Sequence, residues 1–71
     1  MADNFSLKVF MENETTVHIE GNEEGLKYLS EICLEVIGQP PGPNHYHLSD
    51  AMNNLDPGKY ELIVCYRKDL E

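Results

Sequence analysis

The sequence predicts one small α+β domain in which a four-stranded, mostly antiparallel sheet has a single helix packed on one face. Three observations lead to this fold class. The chain of 71 residues is long enough for one domain, residues 1–71, and no more. Four stretches have the alternation or the β-branched composition of strands, and one stretch has helical spacing with capping signals at its ends. Their order is β-β-α-β-β, for which one helix on one sheet is the simplest architecture.

Two strands that form a hairpin begin the predicted fold. Apolar residues alternate along Phe5 to Met11, and Thr15 to Glu20 is rich in β-branched residues. The short polar break of residues 12–14 suits the turn between them. Because side chains alternate between the faces of a strand, we predict that Val17 and Ile19 point into the core.

The helix is predicted from about Glu23 to Ile37. Asn22 is a good N-cap, acidic residues follow it at the positive end of the helix dipole, and Gly38 supplies the C-terminal cap. Six apolar residues recur at helical spacing and predict the buried face: Leu26, Leu29, Ile32, Cys33, Val36 and Ile37. The opposite face is acidic and contains Glu24, Glu31 and Glu35.

The second half of the chain contains two more strands. A stiff proline loop, Gln39 to Asn44, leads into the short strand His45 to Leu48. A longer connection, Ser49 to Gly58, closes with an Asp-Pro-Gly turn signal. The last strand, Lys59 to Arg67, is the most apolar of the four.

One helix covers only one face of a sheet, so the other face meets solvent or a partner. The alternation places Phe10, Ile63 and Cys65 on that face, which makes its centre more apolar than solvent exposure requires. The outward residues that we expect to contact a partner protein are His18, Glu20, His45, His47, Glu61 and Arg67.

The charge of the chain is strongly negative. Thirteen acidic and five basic residues give a formal net charge of -8. Such a chain repels nucleic-acid phosphates and anionic membranes and is attracted to basic protein surfaces. Residues 1–6 contain no signal-like apolar run, and the two cysteines do not form a disulfide framework, so we expect the cytoplasm.

No constellation of residues predicts catalysis, and we expect neither enzyme activity nor a cofactor. A domain this short has a thin core with no room for a deep cleft beside it. The two histidines of His45-x-His47 point the same way on a strand, and His18 lies on the same predicted face. Three such ligands could hold a metal ion, although two polar histidines at a strand edge are the simpler interpretation.

The middle and end of the chain, from Thr15 to Tyr66, resemble the immunity protein 32 family. The resemblance is in a strand that ends near a glycine, a helix of the GLxxL type, a PG-containing loop, a short H-x-H-L strand and a final apolar strand. The residues at those positions are Gly21, Gly25, Leu26, Leu29, Pro41, Gly42, His45, His47, Leu48, Leu62, Ile63 and Val64. An additional amino-terminal strand and a longer connection at Ser49 to Gly58 depart from the family pattern.

The resemblance implies a cytoplasmic antidote of a bacterial polymorphic toxin system, of the kind that acts in contact-dependent inhibition. Such a protein binds a cognate toxin domain, here one that is basic, and blocks it. Two alternatives stay open at this point. One is a small metal-binding module that uses the strand histidines, and the other is a structural homodimer that pairs its open sheet faces.

Overall fold

The computed structural model describes residues 4–38 and 44–70, apart from the side chain of Lys68. It confirms the α+β class and the predicted order of elements. These are β1 (Leu7–Asn13), β2 (Thr16–Gly21), α1 (Glu23–Gly38), β3 (Asn44–Leu48), β4 (Leu62–Tyr66) and a short 3-10 helix (Lys68–Leu70). Residues 39–43 of the predicted proline loop lie outside the described part.

The four strands form two separate antiparallel pairs, β1 with β2 and β3 with β4, in place of one continuous sheet. The connection between β3 and β4 lies against the start of β1. There the Asp56 amide donates to the Leu7 carbonyl at 2.7 Å, and the Ser6 hydroxyl donates to the Asp56 carboxylate at 2.7 Å. This connection therefore occupies the edge of β1 at which another strand would have paired.

The helix begins as predicted, because Asn22 caps it. The Asn22 side-chain oxygen accepts from the Gly25 amide at 2.9 Å, and the Asn22 carbonyl accepts from the Leu26 amide at 3.0 Å. The first bond satisfies an amide that has no partner within the helix, and the second is the first backbone bond of the helix itself. The helix continues to Gly38, one residue beyond the predicted end.

A close junction joins the start of the helix to the start of β1. The Ser6 amide donates to the Asn22 side-chain oxygen at 3.1 Å, and the Asn22 amide donates to the Ser6 carbonyl at 3.1 Å. A Cβ atom built on Gly25 would lie 1.8 Å from the Ser6 carbonyl oxygen. Glycine is therefore required at position 25, since any side chain would push the helix away from β1.

The core lies mainly between α1 and the β3–β4 pair. Its fully buried apolar residues are Leu7, Ile32, Val36, Leu48 and Leu55, with half-buried Val9, Tyr28, Leu29, Tyr46, Leu62, Val64 and other residues packed around them. Asn54 is buried beside this core, and its side chain bonds the Ser49 amide, the Tyr28 hydroxyl and the His47 carbonyl. The long connection is thus part of the packed structure.

Several residues that the sequence predicts to be inside are exposed. The prediction that Val17 and Ile19 point into the core is wrong, since both are exposed, and so is Met11 on the paired strand. In the helix, Leu26, Cys33 and Ile37 are exposed as well. The reason is that the core reaches only the beginning of the first hairpin, at Leu7 and Val9, while the rest of the hairpin extends beyond it.

Candidate protein-binding surfaces

The exposed side of the β3–β4 pair contains both histidines of the third strand. The register places His45 opposite Cys65 and His47 opposite Ile63, and all four are exposed. We call these four residues the histidine face. The two imidazole rings meet edge to face with centroids 5.1 Å apart. The predicted alternation of β3 and β4 is therefore confirmed: these residues point outward, while Leu48 is buried.

Charged residues lie at the two ends of β4. Glu61 precedes the strand and is exposed. Arg67 follows it and donates two hydrogen bonds to the Asp69 carboxylate, at 3.0 and 2.7 Å. This pairing raises the pKa of the Arg67 guanidinium and lowers the pKa of the Asp69 carboxyl. The charge of Arg67 is thus partly offset by Asp69.

A small hollow lies beside the histidine face. It has a volume of about 100 Å³ and is lined by Asn44, His45, Cys65, Tyr66 and Arg67. Pockets that enclose small molecules typically measure roughly 300–1,000 Å³. The hollow at the histidine face is therefore smaller than such pockets.

His18 and Glu20 lie on one face of the first hairpin, where they form a ladder with β1. Lys8 is opposite Glu20, with its Nζ 3.6 Å from the carboxylate, and Phe10 is opposite His18, with the rings stacked at 4.8 Å. His18 Nε2 lies 2.8 Å from a carboxylate oxygen of Glu12. We call these five residues the charged hairpin face. Each is already held by a neighbour before any partner arrives.

The six residues predicted to contact a partner therefore do not share one sheet face. His18 and Glu20 belong to the first hairpin, and His45, His47, Glu61 and Arg67 belong to the second half of the chain. The prediction that His18 lies with His45 and His47 is wrong, because strand pairing separates them. Within residues 4–38 and 44–70, no three His, Cys, Asp or Glu residues come together as metal ligands. The geometry of the described residues therefore does not support a metal-binding module that uses these three histidines.

The other face of the first hairpin is a surface that the sequence did not predict. Pairing of Val9 with Ile19 and of Met11 with Val17 places these four residues on one side. Their exposed fractions are 41% at Met11, 44% at Ile19 and 59% at Val17, while Val9 is half-buried. We call them the apolar hairpin face. The alternation in the sequence identified these residues as one face, but nothing in it indicated where the core ends.

The structure thus defines a small α+β protein with exposed apolar and charged faces. Residues 16–67 match the family model described as immunity protein 32, and this match covers most of the chain. The chain belongs to the immunity protein 32 family, as the sequence resemblance predicted. No curated protein and no solved structure matches it significantly.

The family indicates a role in toxin immunity, and immunity proteins in general act by binding and not by catalysis. A membrane-spanning helix is absent from the described part of the chain, since no helix there combines the necessary length and apolar character.

Proposed function

We propose that this protein binds and neutralises a cognate bacterial toxin domain by occlusion, with no chemical turnover of its own. The observation that supports this most is the match of residues 16–67 to the immunity protein 32 family. The small hollow at the histidine face agrees with this proposal, because it is smaller than the pockets that enclose small molecules.

The partner is a basic domain that the chain meets in the cytoplasm. The net charge of -8 attracts a cationic surface over distance, which raises the rate of encounter at low salt. The same charge opposes binding to nucleic acids and to anionic membranes. It also opposes association of two copies, since each would bring its negative charge to the other.

We further propose that the exposed residues predicted from the sequence contact the toxin. His45, His47, Glu61 and Arg67 would act around the histidine face, and His18 and Glu20 at the charged hairpin face. The rings of His45 and His47 contact each other, Glu20 pairs with Lys8 and Arg67 pairs with Asp69. These contacts reduce the conformational entropy that remains to be lost on binding.

The first test is capture of the toxin. The purified protein is immobilised, exposed to lysate of its own source cells at moderate salt and eluted at high salt, and the eluate is identified by mass spectrometry. We expect one basic toxin domain, bound 1:1, whose toxicity disappears when the chain is co-expressed. A captured domain that stays toxic in the presence of the chain would contradict the proposal, as would recovery of a second copy of the chain alone.

The second test concerns the histidines. Replacing both His45 and His47 by alanine should weaken binding of the captured toxin by about tenfold, a typical effect of truncating contact residues, without changing the melting temperature. Met52→Ala, at an exposed position in the connection, is the control. An unchanged dissociation constant in a calorimetric titration of the double variant would move the interface away from the histidine face.

A further inference from the structure

The apolar hairpin face continues onto the helix. A Cβ atom built on Gly21, which shares this face with Val17 and Ile19, would lie 3.4 Å from Cγ of Leu26. Leu26 is 47% exposed and therefore extends the same surface. Cys33 and Ile37 follow it at spacings of seven and four residues, which places them along one side of the helix, and both are exposed.

This strip collects several exposed apolar side chains on one side of the hairpin and of the helix, in contrast to single apolar residues scattered over a surface. Isolated exposed apolar residues are common in monomeric proteins and need no explanation. A contiguous row that runs from the tip of a hairpin across the start of a helix is typical of an interface. The histidine face has one comparable residue, Ile63, surrounded by two histidines and a cysteine.

The negative charge is concentrated in the part of the chain that contains this strip. Between Leu7 and Gly38, seven acidic and two basic residues give a net charge of -5. Between Asn44 and Leu70, four acidic and three basic residues give a net charge of -1. An apolar strip on the acidic half of the molecule is complementary to an apolar protrusion surrounded by basic residues.

We propose that the apolar hairpin face, extended by Leu26, is the centre of the interface with a basic toxin domain. This inference rests on the proposed function and assigns the toxin to one surface of the chain. A second copy of the chain is a poorer occupant, because it would place two halves of charge -5 against each other. The toxin buries Val17 and Ile19, and the net negative charge of the hairpin and helix attracts its basic surface.

A photo-cross-linking amino acid placed at position 17 tests this assignment in the source cells. Position 63 on the histidine face is the matched control, since Val17 is 59% and Ile63 50% exposed and each is the second residue of its strand. We expect irradiation to join position 17 to a basic toxin domain, identified by mass spectrometry. A cross-link to a second copy, or none from position 17, would overturn the inference.

The control separates failure of this inference from failure of the proposed function. A toxin domain cross-linked from position 63 but not from position 17 would overturn the assignment to the apolar hairpin face and would support the proposed function. A protein other than a toxin domain, cross-linked from position 17, would overturn the inference and count against the proposed function too.

Once cross-linking has identified the toxin domain, its dissociation constant for variants of the chain gives the energetic test. Val17→Lys should raise the dissociation constant at least about tenfold, as expected for a residue at the centre of an interface. Met52→Lys, at a 60% exposed position in the connection between β3 and β4, changes the net charge equally and should raise it by less than about threefold, because remote charges contribute little. Val17→Thr retains the β-branched shape and checks the result if the lysine variant folds poorly. Equal effects of the two lysine variants would overturn the inference.

Discussion

Gly25 is the position at which the packing predicts the largest effect of adding one methyl group. A Cβ atom there would lie 1.8 Å from the Ser6 carbonyl oxygen and 3.2 Å from Cβ of Leu7. The first contact involves backbone, so no side-chain rotation relieves it. The helix start and the beginning of β1 would have to separate by roughly 1 Å, since real Cβ contacts are almost never shorter than 3.0 Å.

The separation breaks or weakens the two hydrogen bonds between Ser6 and Asn22, each of which contributes about 1 kcal/mol. Overpacking of this kind costs about 1–3 kcal/mol more. The gain in helix propensity from glycine to alanine offsets about 1 kcal/mol. We therefore expect Gly25→Ala to lower the free energy of unfolding by about 2–4 kcal/mol, a large part of the ~4–10 kcal/mol typical of this chain length.

Urea unfolding followed by circular dichroism measures this change. Gly38→Ala is the matched control, because it is also a helical glycine and a Cβ atom there would meet nothing within 4 Å. The control should be as stable as the parent protein or up to about 1 kcal/mol more stable. If the two variants unfolded at the same urea concentration, the argument from the helix–strand contact would be refuted.

Three further predictions concern polar contacts. Asn54→Leu should lower the free energy of unfolding by about 2–4 kcal/mol in urea, because it leaves the buried Ser49 amide without its acceptor, and unchanged stability would contradict this. Asn22→Ala should lower the free energy of unfolding by about 1–2 kcal/mol in the same assay. Asn22→Asp should lower it clearly less, because aspartate keeps the oxygen that caps the helix. Equal losses in the two variants would refute the role of Asn22 as the cap. Arg67→Gln should raise the pKa of Asp69 in an NMR titration. Because the pKa of Asp69 is lowered, the small stabilisation by this pair is present above the pKa of the unfolded carboxyl and is lost as the pH falls through the folded pKa. An Asp69 titration that the substitution leaves unchanged would argue against the pair.

The elements of this fold could be predicted from the sequence because their signals are local. Asn22 and Gly38 bound the helix in the sequence and in the structure, and alternation places His45 and His47 outward correctly. The pairing of the first two strands was also predictable, but the division of the four strands into two separate pairs was not. This division depends on where the connection between β3 and β4 lies, and the contact of Asp56 with Leu7 joins residues far apart in sequence.

The candidate surfaces, too, could be predicted only where local signals define them. The sequence indicated that Val17 and Ile19 share a face, but a pattern of period two cannot tell a face that is buried from one that awaits a partner. The extent of the core decides between them, and this core reaches Val9 and ends there. Likewise, the prediction that His18 and His45 share a face assumes one continuous sheet. The structure has two separate strand pairs instead.

The junction at Ser6 has a consequence for the kinetics of folding. The first hairpin and the helix consist of contacts between residues close in sequence, and such contacts form quickly. The bond between Ser6 and Asp56 spans 50 residues, so it closes a long loop whose entropy must be lost before the contact stabilises anything. We expect this closure to be a late event, in which case Ser6→Ala would speed unfolding and leave the folding rate nearly unchanged in stopped-flow experiments.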